Sequence, residues 1–110
     1  MYNVYTYRVD VLYPLGELQF VWDVHKAAAN MAKHRVRFEQ ACEVFFDPLV
    51  RIVDASVEDE VREGLLGQTE VGRLLFVVQR EREREEDEAI RIISARSATP
   101  KERSDYEEYA

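Results

Sequence analysis

The sequence predicts an α+β fold, with two N-terminal helices packed on a mostly antiparallel, twisted sheet and a short C-terminal helix. Three observations lead there. Period-two alternation marks strands at the start of the chain and through its second half. Helical spacing of apolar residues follows Asp23, and a capped proline at Thr99-Pro100 opens a last helix. The order of strands, two helices, a run of strands and a terminal helix is not the strand-helix alternation of a parallel sheet.

The elements follow in order. Tyr5, Tyr7, Val9, Val11 and Tyr13 alternate with Thr6, Arg8 and Asp10, which predicts a half-buried strand over residues 2–13. Pro14-Leu15-Gly16-Glu17 makes a turn, and Leu18, Phe20 and Trp22 face inward from a second strand. Residues 1–17 read as an N-terminal extension that adds an edge strand and buries Tyr5, Tyr7 and Val9; residues 18–110 read as a single domain. Asp23 suits a helix N-cap because its carboxylate can accept from the free N–H groups of the first turn. Val24, Ala27, Ala28 and Met31 form the expected apolar stripe, with Lys26, Asn30, Lys33 and Arg37 on a shared polar face if the helix persists. A break near His34-Arg35 precedes a second helix over residues 38–46, with Phe38, Ala41, Cys42 and Phe45 inward, ended by Asp47-Pro48.

Strands are expected at residues 49–54, 62–68, 73–80 and 88–94. Leu74 to Val78 is apolar throughout, as in a central strand covered on both faces. The charged run Arg80 to Glu88 cannot be core and reads as a solvated hairpin tip. Thr99 as N-cap, Pro100 in the first turn and Glu102 three residues after the cap predict a helix from Pro100 to Glu108.

Composition narrows the function. A chain of 110 residues, 46% hydrophobic, has room for one domain and one core. No apolar run reaches the ~20 residues of a membrane span, and the start lacks the pattern of a secretory signal, so a cytoplasmic location is expected. The net charge of −7 argues against nonspecific nucleic-acid binding over the whole surface and leaves room for a local basic cleft. The single cysteine, Cys42, has helical spacing with Phe38 and Phe45 and is expected to be a small buried apolar residue. There is no P-loop, dinucleotide-binding glycine motif or nucleophile elbow. His25 and His34 stand in no metal-ligand pattern, so neither a metal nor a cofactor is expected.

What remains is a set of bases beside apolar strands: Arg62, Arg73, Arg91 and Arg96, with Lys33 and His34 on the helices and Lys101 and Arg103 near the last helix. Arginine next to a core is either paired or recognising an anion. With 22 acidic residues against 15 basic ones, salt bridges are a full alternative for every arginine.

A series of segments gives these bases a context. They are Phe20-Val21-Trp22-Asp23, Lys26 with Asn30, Lys33-His34, Phe38-Glu39-Gln40-Ala41 and Val44-Phe45-Phe46-Asp47-Pro48. Then come Arg62 with Gly67, Gly72-Arg73-Leu74-Leu75-Phe76-Val77-Val78, Ile90-Arg91-Ile92-Ile93-Ser94-Ala95-Arg96, Ala98-Thr99, Glu102-Arg103 and Tyr106. In this order and spacing the chain resembles the BrnT family of ribonuclease toxins. The resemblance implies a RelE-like fold and metal-independent endoribonuclease activity. It also implies neutralisation by a BrnA-like antitoxin that itself binds operator DNA, no membrane, and the option of a homodimer. It assigns Arg73, Arg91 and Arg96 to phosphate and transition-state contact, Lys33 or His34 to proton transfer, and Arg62, Lys101 and Arg103 to guiding the RNA backbone. A catalytically inactive relative that binds a partner or itself is the alternative. Two geometric questions are left to the structure. Regular alternation puts Arg91 and Arg96 on opposite faces of their strand unless a bulge intervenes. Arg35 stands where the family usually has glycine, so the chain must avoid a left-handed helix cap or accept about 1 kcal/mol of strain.

Overall fold

The computed structural model describes residues 8–80 and 89–109. Its elements are β1 (Asp10–Leu15), β2 (Leu18–Asp23), α1 (Val24–His34), α2 (Phe38–Glu43) running into a 3-10 turn (Val44–Phe46), β3 (Arg51–Asp54), β4 (Arg62–Gln68), β5 (Leu74–Arg80), β6 (Ile90–Ser97) and α3 (Pro100–Tyr109). The strands form a six-stranded sheet in the order β1-β2-β6-β5-β4-β3. All neighbours are antiparallel except β2 and β6, which run parallel through Phe20–Ile90 and Val21–Arg91.

The first strand begins later than the alternation suggests. Residues 1–7, and with them Tyr5 and Tyr7, lie outside the described residues. Val9 is 53% exposed, contrary to the expectation that it is buried; the inward face of β1 is Val11, Tyr13 and Leu15. The turn into β2 places Gly16 at φ +58°, a backbone conformation that costs glycine nothing. Residues 81–88, the expected hairpin tip, also lie outside the described residues, and β6 starts at Ile90.

Two cores flank the sheet. Phe38, Ala41 and Cys42 of α2 pack with Phe20 and Trp22 of β2, Leu65 of β4, Leu75 and Val77 of β5, and Ile92 and Ala95 of β6. Leu66 and Leu74 point the other way and pack with Tyr106 of α3, flanked by Phe76 and Ala98. Successive residues of a strand face opposite sides, so α2 and α3 cover opposite faces. Leu74-Leu75 is therefore buried on both sides, as a central strand should be. Gly67 permits the 3-10 turn to sit close, since a Cβ there would come within 2.8 Å of Val44 Cγ1.

The apolar stripe assigned to α1 does not hold. Val24 and Met31 are 38% and 39% exposed, Ala28 is exposed too, and the buried residue of the helix is Asn30. Its side-chain amide donates to the carbonyls of Val36 (3.0 Å) and Ala95 (2.8 Å), and its Oδ1 accepts from the N–H of Ala95 (3.1 Å). The reason lies in the sheet. β2 pairs with β6 only as far as Arg91, then turns into α1 at Asp23. Among the described residues no strand lies beside the outer edge of β6 at Ala95, and Asn30 supplies the donor and acceptor that a strand would have offered. Asp23 caps α1 as expected, accepting from the N–H of Lys26.

Candidate active site

The corner built around Arg73 begins at the end of α1. After Lys33 and His34 the chain leaves the helix through Arg35, which takes the left-handed conformation (φ 57°, ψ 34°) and closes the cap with its N–H on the Met31 carbonyl (3.0 Å). Val36 is fully buried behind it, and the N–H of Arg37 donates to Gln40 Oε1 as α2 starts. The strain anticipated at Arg35 is thus accepted rather than avoided.

Arg73 approaches this joint from the sheet. Its backbone is held by the turn between β4 and β5: the buried Thr69 donates its N–H to the Arg73 carbonyl (2.9 Å), and its Oγ1 accepts from the Arg73 N–H (3.1 Å). The guanidinium then spans two neutral acceptors, the Arg35 carbonyl (3.0 Å) and Ser97 Oγ at the end of β6 (3.1 Å). A guanidinium has five N–H donors, so this leaves others for an anion. Among the described residues, Lys33, His34, Arg35, Arg37 and Arg73 make no ion pair with a carboxylate. The result is a dense group of bases at one corner of an acidic protein.

The remaining predicted bases are placed differently. The register of β5 and β6 slips between Val78 and Gln79, so Ile93 is an extra residue and Arg91 and Arg96 fall on the same face. They nevertheless stay at opposite ends of β6, and each meets a carboxylate in fork geometry. Arg91 donates to both oxygens of Asp10 (3.2 and 2.8 Å), whose carboxyl it holds below the usual range. Arg96 donates to both oxygens of Glu102 (2.8 and 2.9 Å) and lies 4.6 Å from the Phe76 ring centre, on the α3 side of the sheet. The same hydrogen bonds lower the Glu102 carboxyl and raise the Arg96 guanidinium. Arg62 pairs with Glu60, which also takes Arg80, at the end of β4 remote from Arg73. Lys101 pairs with Asp105 across one turn of α3 (3.5 Å), while Arg103 is exposed and makes no ion pair among the described residues. The structure therefore gathers Lys33, His34 and Arg73 about one joint, and ties Arg62, Arg91 and Arg96 to acids elsewhere.

Sequence reasoning passed over Arg35 as a site residue and misplaced Asn30. The signal for Arg35 is the run Lys33-His34-Arg35-Val36-Arg37, the densest basic stretch of the sequence. Cys42 is buried, and burial with Glu39 and Glu43 nearby pushes its thiol far above the usual range, which fits packing and not nucleophilic chemistry. Among the described residues, no group of three or more His, Cys, Asp or Glu is placed to hold a metal ion, and no helix is long and apolar enough to cross a membrane.

Against known families, residues 22–102 match a family model described as the ribonuclease toxin BrnT of type II toxin-antitoxin systems. The chain belongs to the BrnT family. A search of curated proteins returns no match. The matched span takes in α1, the Arg73 turn, all of β6 and the first residues of α3, so the whole basic corner belongs to the BrnT region. β1 precedes it, at one end of the strand order among the described residues. BrnT membership makes this a toxin-family ribonuclease and implies an antitoxin partner.

Proposed function

We propose that the chain is a RelE-like, metal-independent endoribonuclease whose reaction takes place at the Arg73 corner. In such a reaction the ribose 2′-oxygen forms a bond to the adjacent phosphorus and the bond from phosphorus to the 5′-oxygen breaks, leaving a 2′,3′-cyclic phosphate and a 5′-hydroxyl. One proton leaves the 2′-hydroxyl and one reaches the 5′-oxygen, and extra negative charge builds on the phosphate oxygens between those events. Arg73 meets that charge with donors its neutral partners leave over, and His34 or Lys33 moves the protons. Arg103 and Lys101, on the helix that follows Ser97, guide the flanking backbone.

The observation that carries this reading is the bonding of Arg73. It is held by a carbonyl and a hydroxyl, so it is positioned without being neutralised. A preorganised cation of that kind stabilises a transition state without reorganising. A BrnA-like antitoxin that also contacts operator DNA is the proposed partner, and an acidic segment laid on this corner would neutralise the toxin by occupying the same donors.

A second reading, a BrnT-like protein that has lost catalysis and serves partner binding or self-association, has one observation in its favour. Arg62, Arg91 and Arg96 already carry carboxylates. The two readings part on purified protein freed of antitoxin. Arg73→Ala should lower RNA cleavage by about 100-fold or more and abolish growth inhibition. Its melting temperature should stay close to that of the parent, because both lost acceptors lie at the surface. Wild-type protein that cleaves no RNA would establish the second reading.

A further inference from the structure

Arg35 carries a conformation that its own side chain makes harder. In the left-handed region a Cβ crowds the following carbonyl, and glycine is the residue that escapes this. Every service Arg35 renders to the fold comes from its backbone: the N–H closes α1 on Met31, and the carbonyl receives Arg73. Glycine would supply both bonds with less strain. The side chain is exposed and makes no hydrogen bond, ion pair or aromatic contact among the described residues. It leaves the chain from the same residue whose carbonyl anchors the Arg73 guanidinium at 3.0 Å, with Lys33 and Arg37 two residues away on either side. Two arginines therefore meet at one peptide joint: the Arg73 guanidinium ends on its carbonyl, and the Arg35 side chain leaves from it.

We infer that Arg35 grips a backbone phosphate of the RNA next to the one held by Arg73, forming a second phosphate subsite. This rests on the RNA-cleaving reading above. A free guanidinium takes phosphate oxygens in pairs and needs no base identity, so the subsite reads the backbone and not the sequence. Because it lies beside the reacting phosphate, it acts on binding and leaves the chemical step to Arg73.

The test is cleavage of a single-stranded oligoribonucleotide by the full chain freed of antitoxin, over a range of salt concentrations. Arg35→Gly should raise KM by about tenfold and leave kcat within about twofold. The log–log dependence of kcat/KM on salt should become shallower by about 0.7, the effect of one phosphate contact on a single strand. Its melting temperature should rise by about 4 °C as the left-handed strain is relieved. Arg35→Lys should keep the salt slope and most of the affinity, which a purely structural role would not require. Unchanged KM and slope in Arg35→Gly, or a loss confined to antitoxin binding, overturns this inference alone. A wild-type chain that cleaves no RNA overturns it together with the reading on which it rests.

Discussion

Asn30 shows how a single side chain can do the work of a strand. Its amide donates to Val36 and Ala95 and accepts from Ala95, three hydrogen bonds at a site where the residue is 7% exposed. Removing the amide strands buried backbone groups, each costing about 1–3 kcal/mol when unpaired. Asn30→Ala should therefore destabilise the protein by about 3 kcal/mol, measured by urea unfolding. A change below about 1 kcal/mol would mean that water replaces the amide and that α1 is held by other contacts. Since α1 carries Lys33 and His34 and is capped by Arg35, the same substitution should weaken RNA cleavage through loss of their placement.

At the scale of elements, α3 is held to the sheet by few side chains. Its one fully buried residue is Tyr106, and it is pinned by a few polar contacts. The Tyr106 hydroxyl donates to Asp47 Oδ2 (2.6 Å), Arg51 reaches the Asp105 carbonyl (3.2 Å) and lies over the Tyr109 ring, and Glu102 holds Arg96 while accepting from the Thr99 N–H (2.8 Å). Asp47 also accepts from Gln68 and Leu49, so one carboxylate joins the end of α2, the end of β4 and α3. Burial and the bond to Asp47 push the Tyr106 hydroxyl up to about 12, which keeps it a donor through the physiological range. Tyr106→Phe should cost about 1.5 kcal/mol, the loss of a hydrogen bond to a charged group. It should also speed amide exchange in α3 more than in β5. Uniform exchange across the chain would show that α3 unfolds only with the sheet.

For the whole molecule, the net charge of −7 is distributed unevenly. Acids of β1, of the loop before β4 and of α3 pair with Arg8, Arg62, Arg80, Arg91 and Arg96, and the joint between α1 and α2 keeps its bases unpaired among the described residues. Stability should follow the bonded carboxylates. Asp10 and Glu102 are lowered chiefly by their arginines. For Asp47, burial works to raise the carboxyl, and the bonds from Tyr106, Gln68 and Leu49 outweigh it. A carboxyl lowered in the folded state binds its proton more readily when unfolded, so its contribution is present above the ordinary values of 3.8 for Asp and 4.5 for Glu. That contribution is lost as pH falls through the lowered folded values. Melting temperature should hold between about pH 5 and pH 7 and drop below about pH 4. In Asp47→Asn the acid drop should be shallower; an unaltered acid limb would remove Asp47 from the account.

The sequence by itself determined the local elements and the family. The second strand, the helix from Phe38, the central strand at Leu74-Leu75 and the Thr99–Glu102 capping box all follow from spacing and cap chemistry, which neighbouring residues decide. The basic segments were legible for the same reason. Only the tertiary structure decided which bases are free. Arg91 meets Asp10, 81 residues away along the chain, and the bulge at Ile93 turns it to the face of Arg96, neither of which periodicity contains. Asn30 looked polar and outward because α1 was read without the bare edge of β6 beside it. Pairing is a matter of distance in space, and a chain with more acids than bases offers each arginine many candidate partners until the fold selects among them.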